Sequence, residues 1–136
     1  MYRLSFGILR NKEDAEDAVG EAVLKAYEHI DSLRDAAKFR QWIMQITANE
    51  ARKLYGKRKR TDLASNIEIY GQSHADSHDE LWEIVLTLDE KYRAVIILFY
   101  YEQMRLKEIS KILHIAEGTV KSRLLRAKNQ LKEKLN

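Results

Sequence analysis

The sequence predicts an all-α fold, two small helical domains joined by a flexible linker, on three observations. Proline is absent and glycine occurs five times in 136 residues, so little interrupts helices. Apolar residues recur at spacings of three and four along most of the chain, the period of a helix buried on one face. Residues 61–79 break that period and carry Ser65, Asn66, Gly71, Gln72, Ser73 and Ser77, as a linker does, partly extended around Ile67, Ile69 and Tyr70. The expected units are therefore 1–60, a linker 61–79, and 80–136.

The first confident helix runs from Asn11 to Ile30. Asn11 stands three residues before Asp14 as a cap with an acidic first turn. Ala15, Ala18, Val19, Ala22, Val23, Ala26, Tyr27 and Ile30 are expected inside. Asp14, Asp17, Glu21 and Leu24 make an acidic cluster with one apolar spot, either a partner surface or a solvated face. Asp31 to Lys38 reads as a loop. The second helix places Phe39, Trp42, Ile43 and Ile46 inward, with Leu54 continuing, and ends in Lys57-Arg-Lys-Arg. Arg52, Lys53, Lys57 and Arg58 beside Gln45 and Asn49 suit a phosphate backbone plus base edges. Asn49 either meets a base edge or satisfies a neighbouring backbone group.

Glu80 to Leu88 is a short amphipathic helix, and Asp89 caps the next. Ala94-Val-Ile-Ile-Leu-Phe-Tyr-Tyr is apolar all round and could spell a strand, but no other strand candidate exists to pair with it. A buried central helix is expected, its aromatics serving as core. Leu106 to Leu135 then reads as a helix-turn-helix. Leu106, Ile109, Ile112 and Leu113 form one apolar face, His114 to Gly118 break the period, and Val120, Leu124, Ala127, Leu131 and Leu135 are expected to be buried. The opposite side carries Ser122, Leu125, Arg126 and Asn129, flanked by Thr119 and Lys121. A short basic face of this kind can enter a major groove; the bland alternative is a solvated hairpin.

Composition closes several classes. No cysteine occurs, which excludes disulfides, thiol chemistry and Cys-type zinc sites and fits a cytoplasmic protein. No apolar run approaches a membrane span and no signal peptide is expected, so no membrane contact of its own is foreseen. His74 and His78 stand four apart, but without further ligands no metal site is expected. No nucleophile-base pair or phosphate-binding glycine loop points to an enzyme, and no cofactor is expected. The net charge of +3 is modest; its segregation into two basic blocks suggests two contacts with a polyanion.

Taken together, these segments resemble a bacterial sigma factor of the extracytoplasmic-function (ECF) group in the sigma-70 family. Glu117-Gly-Thr-Val-Lys-Ser-Arg-Leu-Leu-Arg-Ala, with Leu88-Asp-Glu-Lys-Tyr-Arg and Glu108-Ile-Ser-Lys-Ile-Leu, is similar to sigma region 4. Asp14-Ala-Glu-Asp-Ala-Val, Leu24-Lys-Ala-Tyr and Phe39-Arg-Gln-Trp-Ile, with Ile46 and Asn49, are similar to region 2. LuxR-type regulators share much of the former but not the latter. The resemblance implies binding to core RNA polymerase and promoter DNA. Region 2 would read and melt the −10 element through Gln45, Asn49, Arg52, Lys53, Lys57 and Arg58, with Asn49 helping to hold a flipped base. Region 4 would read the −35 element through Thr119, Lys121, Ser122, Leu125 and Arg126. Asp14, Asp17, Glu21 and Leu24 would meet the clamp coiled coil of the largest subunit, and region 4 the flap of the second-largest. An anti-sigma factor is an expected partner.

Three departures accompany the resemblance. The helix before Asn11 is expected to be truncated, with Tyr2, Leu4, Phe6, Ile8 and Leu9 as its last turns. Gly20 stands where the family often has glutamine, and His114 where the turn usually has glycine. A sigma-like decoy that binds polymerase or an anti-sigma factor without initiating, or an ordinary helix-turn-helix regulator, are the alternatives.

Overall fold

Small side chains set the packing of the N-terminal half. The computed structural model describes residues 1–61 and 80–135; the expected linker from residue 62 onward and the His74–His78 pair lie outside them. Helix α1 (Tyr2–Leu9) ends at Arg10 in a left-handed conformation, φ 54°. Helix α2 (Lys12–Glu28) starts as expected, with the Asp14 amide donating to Asn11 Oδ1 at 2.8 Å. Ala15, Ala18, Ala22 and Ala26 form its buried stripe, which lets α1 and α3 (Phe39–Thr61) approach closely. The Ser5 hydroxyl ties α1 to α2 by donating to the Ala15 carbonyl at 3.0 Å.

The expected inner face of α2 is too wide. Val23, Tyr27 and Ile30 are exposed, Tyr27 by 80%. They follow Val19 on a stripe one step round from the alanines, and only the alanine stripe is covered, because α2 packs chiefly on α1 and α3. The loop after it contains two 3₁₀ turns, Ile30–Ser32 and Ala36–Lys38, and delivers α3, which buries Ile43, Met44, Thr47, Ala48 and Ala51. Phe39, expected inside, is 43% exposed and lies against Trp42, centroids 5.9 Å apart.

The C-terminal half comprises α4 (Glu80–Val85), α5 (Glu90–Ile96), α6 (Leu106–Leu113) and α7 (Glu117–Leu135). The all-apolar segment is helical, as expected, and widens into a π turn over Ile97–Tyr101; its aromatics are not all core, since Tyr100 is 45% exposed and Phe99 and Tyr101 are half-buried. Val120, Leu124, Ala127 and Leu131 are buried, whereas Leu135, expected to be buried, is 54% exposed at the last turn of α7.

One continuous apolar cluster joins the two halves. Leu4 and Ile8 of α1 are fully buried, and α1 lies against α5 and the π turn as well as α2 and α3. Gly7 sits where a β-carbon would come 2.2 Å from Ile97 Cδ1. Glycine inside a helix costs about 1 kcal/mol relative to alanine; here it permits the close approach of the halves.

Candidate nucleic-acid interface

The apolar stripe of α7 fixes its opposite face. With Val120, Leu124 and Ala127 turned into the core, Lys121, Ser122, Leu125 and Arg126 are exposed and Thr119 is half-buried. Leu125 is 61% exposed, an apolar group among polar ones that suits a thymine methyl. The Ser122 hydroxyl donates to the Thr119 carbonyl at 3.2 Å. Lys128 is drawn aside over Phe99 and Tyr100, 5.7 and 6.0 Å from their ring centroids.

The turn ahead of α7 is built without glycine. His114 adopts φ 60°, ψ 44°, and its amide donates to the Ser110 carbonyl. The Ser110 hydroxyl closes the turn on the Ile115 carbonyl at 2.6 Å. Glu108 accepts from the Arg105 amide at 2.8 Å and fixes the start of α6.

On α3, Gln45, Asn49 and Arg52 follow at four and three residues and share one face. Gln45 is half-buried. Asn49 is exposed and makes no side-chain hydrogen bond among the described residues, so the backbone-satisfying alternative finds no partner there. Arg52 donates to the Leu113 carbonyl at the end of α6, 3.0 Å away. Lys53 lies 3.6 Å from Glu50, which Lys25 also approaches at 3.7 Å. Lys57 is exposed, and Arg58 pairs with Asp14 at 2.8 Å. Arg40 of the same helix is likewise engaged, with Glu102 at 3.6 Å, and Lys59 lies 5.6 Å from the Tyr55 ring centroid.

The acidic cluster divides. Asp17, Glu21 and Leu24 are exposed at i, i+4 and i+7. Asp14 is only 8% exposed and holds Arg58, so it faces the chain and not the exposed cluster. Sequence reasoning missed the apolar surface beside it. Val23, Leu24, Tyr27 and Ile30 are all exposed, an unusually apolar face for a surface helix; the signal was the width of the stripe, which exceeds what two neighbouring helices can cover.

Arg93 carries no mark in the sequence that sets it apart from the other arginines. It is 4% exposed, donates through Nε to the Gly7 carbonyl and through Nη1 to the Leu88 carbonyl at 2.7 Å. Burial, reinforced by the charge of Arg10, pushes its guanidinium down to about 10. Among the described residues no group of side chains could hold a metal ion, and no helix is long and apolar enough to cross a membrane.

A paired arrangement of this kind, one basic helix ahead of a helix-turn-helix, defines a two-part DNA-binding protein. The model of sigma-70 region 2 matches residues 1–61, and that of sigma-70, region 4 matches residues 78–131. The ECF RNA polymerase sigma factors SigW and SigM of Bacillus subtilis are each 32% identical, covering 99% and 100% of this chain and 82% and 88% of their own lengths. Among solved structures, the sigma factor RpoE of Bartonella quintana, in complex with the anti-sigma factor NepR, superimposes with a TM-score of 0.85 at 26% identity, over 98% of this chain and 89% of that one. CnrH, in complex with the cytosolic domain of CnrY, gives 0.66 at 26% identity, over 98% and 77%. The chain belongs to the sigma-70 family of RNA polymerase sigma factors, in its ECF group. Its function is promoter recognition for transcription initiation.

Proposed function

We propose a division of that function among named surfaces. α7 reads the −35 element through Lys121, Ser122 and Leu125, with Thr119 and Arg126 on the flanking phosphates. α3 handles the −10 element: Asn49 and Gln45 meet an unpaired base, and Arg52, Lys53, Lys57 and Arg58 line the strand once their internal partners are released. Residues 1–60 and 80–136 act as the two units, with 61–79 between them. Asp17, Glu21 and Leu24, together with Tyr27, dock on the clamp coiled coil of core polymerase, and the C-terminal unit on the flap. Asp14 contributes there only by holding Arg58.

The observation that carries this reading is the exposed Asn49 on the same helix face as Gln45 and Arg52, in one chain with an open basic face on α7. An anti-sigma factor is a further partner, as the solved relative RpoE is described in complex with the anti-sigma factor NepR. The protein works in the cytoplasm as a specificity subunit with no catalysis of its own.

Transcription in vitro with core polymerase tests the reading. Promoter-dependent transcripts are expected. Polymerase binding without transcripts would mark a decoy, and duplex binding without polymerase binding an ordinary regulator.

A further inference from the structure

Glycine inside a helix is destabilising relative to alanine, and α2 carries one near its centre, Gly20. Its backbone is ordinary helix with no positive φ, and a β-carbon there would meet nothing within 4 Å. Nothing in the chain therefore requires the missing side chain, whereas Gly7 makes room for Ile97. Gly56 and Gly118 also face open space, but helical spacing sets them among polar and charged residues, Gly56 beside Arg52, Lys53 and Lys59, and Gly118 beside Lys121 and Ser122. Gly20 alone of these stands among exposed apolar side chains. Val23, Leu24 and Tyr27, each more than half exposed, follow it at three, four and seven residues. Four helical residues so spaced enclose the hole that receives a side chain from a facing helix.

We propose that these four residues are a socket for one long cationic side chain on a basic helix of the polymerase clamp, and that Gly20 sets how closely that helix can approach. The proposal rests on the reading of α2 as the polymerase-docking helix, and adds the chemistry of the partner and the residue that governs the fit.

The missing side chain recesses the floor of the socket to the backbone of α2, so a long side chain is needed to fill it. Its walls, Val23, Leu24 and the Tyr27 ring, suit a hydrocarbon stem. Its rim is anionic. Glu13, Glu16, Asp17, Glu21 and Glu28 are exposed, and none forms an ion pair among the described residues. Lys25, one turn from Glu21, is directed instead toward Glu50, 3.7 Å away. A stem laid over Gly20 would carry its charged head to Glu16 and Asp17, one turn back along the helix. An acidic partner helix would be repelled by this rim, and a second copy of α2 would set carboxylate against carboxylate. With no side chain at position 20, the partner can reach the short end of the usual range of axis separations, about 8–10 Å.

A series at position 20, read by equilibrium binding of the full chain to core RNA polymerase, tests the socket. Glutamine, glutamate and lysine are all better helix formers than glycine. Each variant should therefore melt at or above the parent's temperature, which separates lost binding from lost fold. Gly20→Gln, which fills the socket, should weaken binding ~10-fold or more. Gly20→Glu, equal in size, should bind ~3-fold better than Gly20→Gln at low salt, a gap that closes as salt is raised, and Gly20→Lys should bind worst. Parental affinity for Gly20→Gln would overturn the socket, and equal affinities for the three variants would overturn its cationic occupant. A concentration-dependent dimer of the parent, abolished by Gly20→Gln, would give the face to a second copy and overturn the proposal as well. A parent chain that does not bind core polymerase brings down the docking reading and this proposal with it. Binding by the parent that the series leaves unchanged brings down the proposal alone.

Discussion

Helix α7 turns Lys121, Ser122, Leu125 and Arg126 to solvent, whereas α3 turns Arg52 onto Leu113, Lys53 toward Glu50 and Arg58 onto Asp14. Both carry basic residues at similar density, so charge count does not distinguish them. What differs is whether acceptors of the chain itself lie within reach. A recognition helix for intact duplex needs no rearrangement to approach a groove. A helix meant for a melted strand acts later, and its cations can be held internally until then. Asn49 and Gln45 on α3 have no such internal partner among the described residues.

The sharpest way to isolate the two helices proposed to face DNA is to remove polymerase from the comparison. Asp17→Lys with Glu21→Lys reverses two exposed charges on α2, on a face that neither DNA helix uses. Charge reversal in a complementary interface costs several kcal/mol, so co-purification with core polymerase should fall by ~100-fold or more. Duplex binding measured by fluorescence anisotropy should not fall. Equal loss of both would mean that α2 supports the fold of the DNA-binding halves and not a separate docking surface.

Next in size, single changes on each helix should separate the steps. Asn49→Ala should slow open-complex formation on a duplex promoter by ~10–100-fold, in line with the ~1–3 kcal/mol that a good base interaction contributes. Its melting temperature should hold, since the side chain bonds nothing among the described residues. Lys121→Ala or Ser122→Ala should alter which −35 sequences are preferred by a similar amount, without slowing melting once the complex has formed. A drop in thermal stability for Asn49→Ala, with normal binding of single-stranded −10 DNA, would make the asparagine structural and erase the contrast.

Much of this was legible in the sequence, and the failures have a common physical origin. Three-and-four spacing located the helices, because burial on one face imposes that period. The outward face of α7 followed by elimination, since four buried positions leave few choices. On α2 the same logic placed Val23, Tyr27 and Ile30 inside; periodicity reports which stripe could be buried, not how many neighbours arrive to cover it. Partners distant in sequence were invisible: Asp14 with Arg58, Arg93 with Gly7, and Arg52 with Leu113 are each set by tertiary approach. Gly7 carried a faint signal, as a glycine inside an otherwise apolar helical run.

Salt dependence sharpens the contrast through a smaller effect. Arg126→Gln should reduce the slope of log affinity against log salt by about one on duplex DNA, if Arg126 meets a phosphate. Arg52→Gln should leave the duplex slope of the free chain unchanged, because its guanidinium is already on the Leu113 carbonyl. Equal changes in slope for both would show that the cations of α3 are as available as those of α7.

The smallest effect concerns the turn on which α6, the Arg52 contact and the start of α7 all depend. Of its two conspicuous residues, Gly118 has an ordinary backbone and open space around its missing β-carbon, whereas His114 takes the left-handed conformation at φ 60°. A side chain there costs ~1–2 kcal/mol, and glycine would remove that cost while losing ~0.5–1 kcal/mol through its freer unfolded chain. His114→Gly should therefore stabilise the protein by up to ~1 kcal/mol, a rise of a few degrees in melting temperature. His114→Val, β-branched, should lower it instead. Because His114 is exposed and its amide bond to Ser110 is retained in the glycine variant, duplex binding through α7 should be unchanged. If His114→Gly lowered the melting temperature, the imidazole would have to contribute more to the turn than its backbone strain costs, and the left-handed residue would be a support for α7.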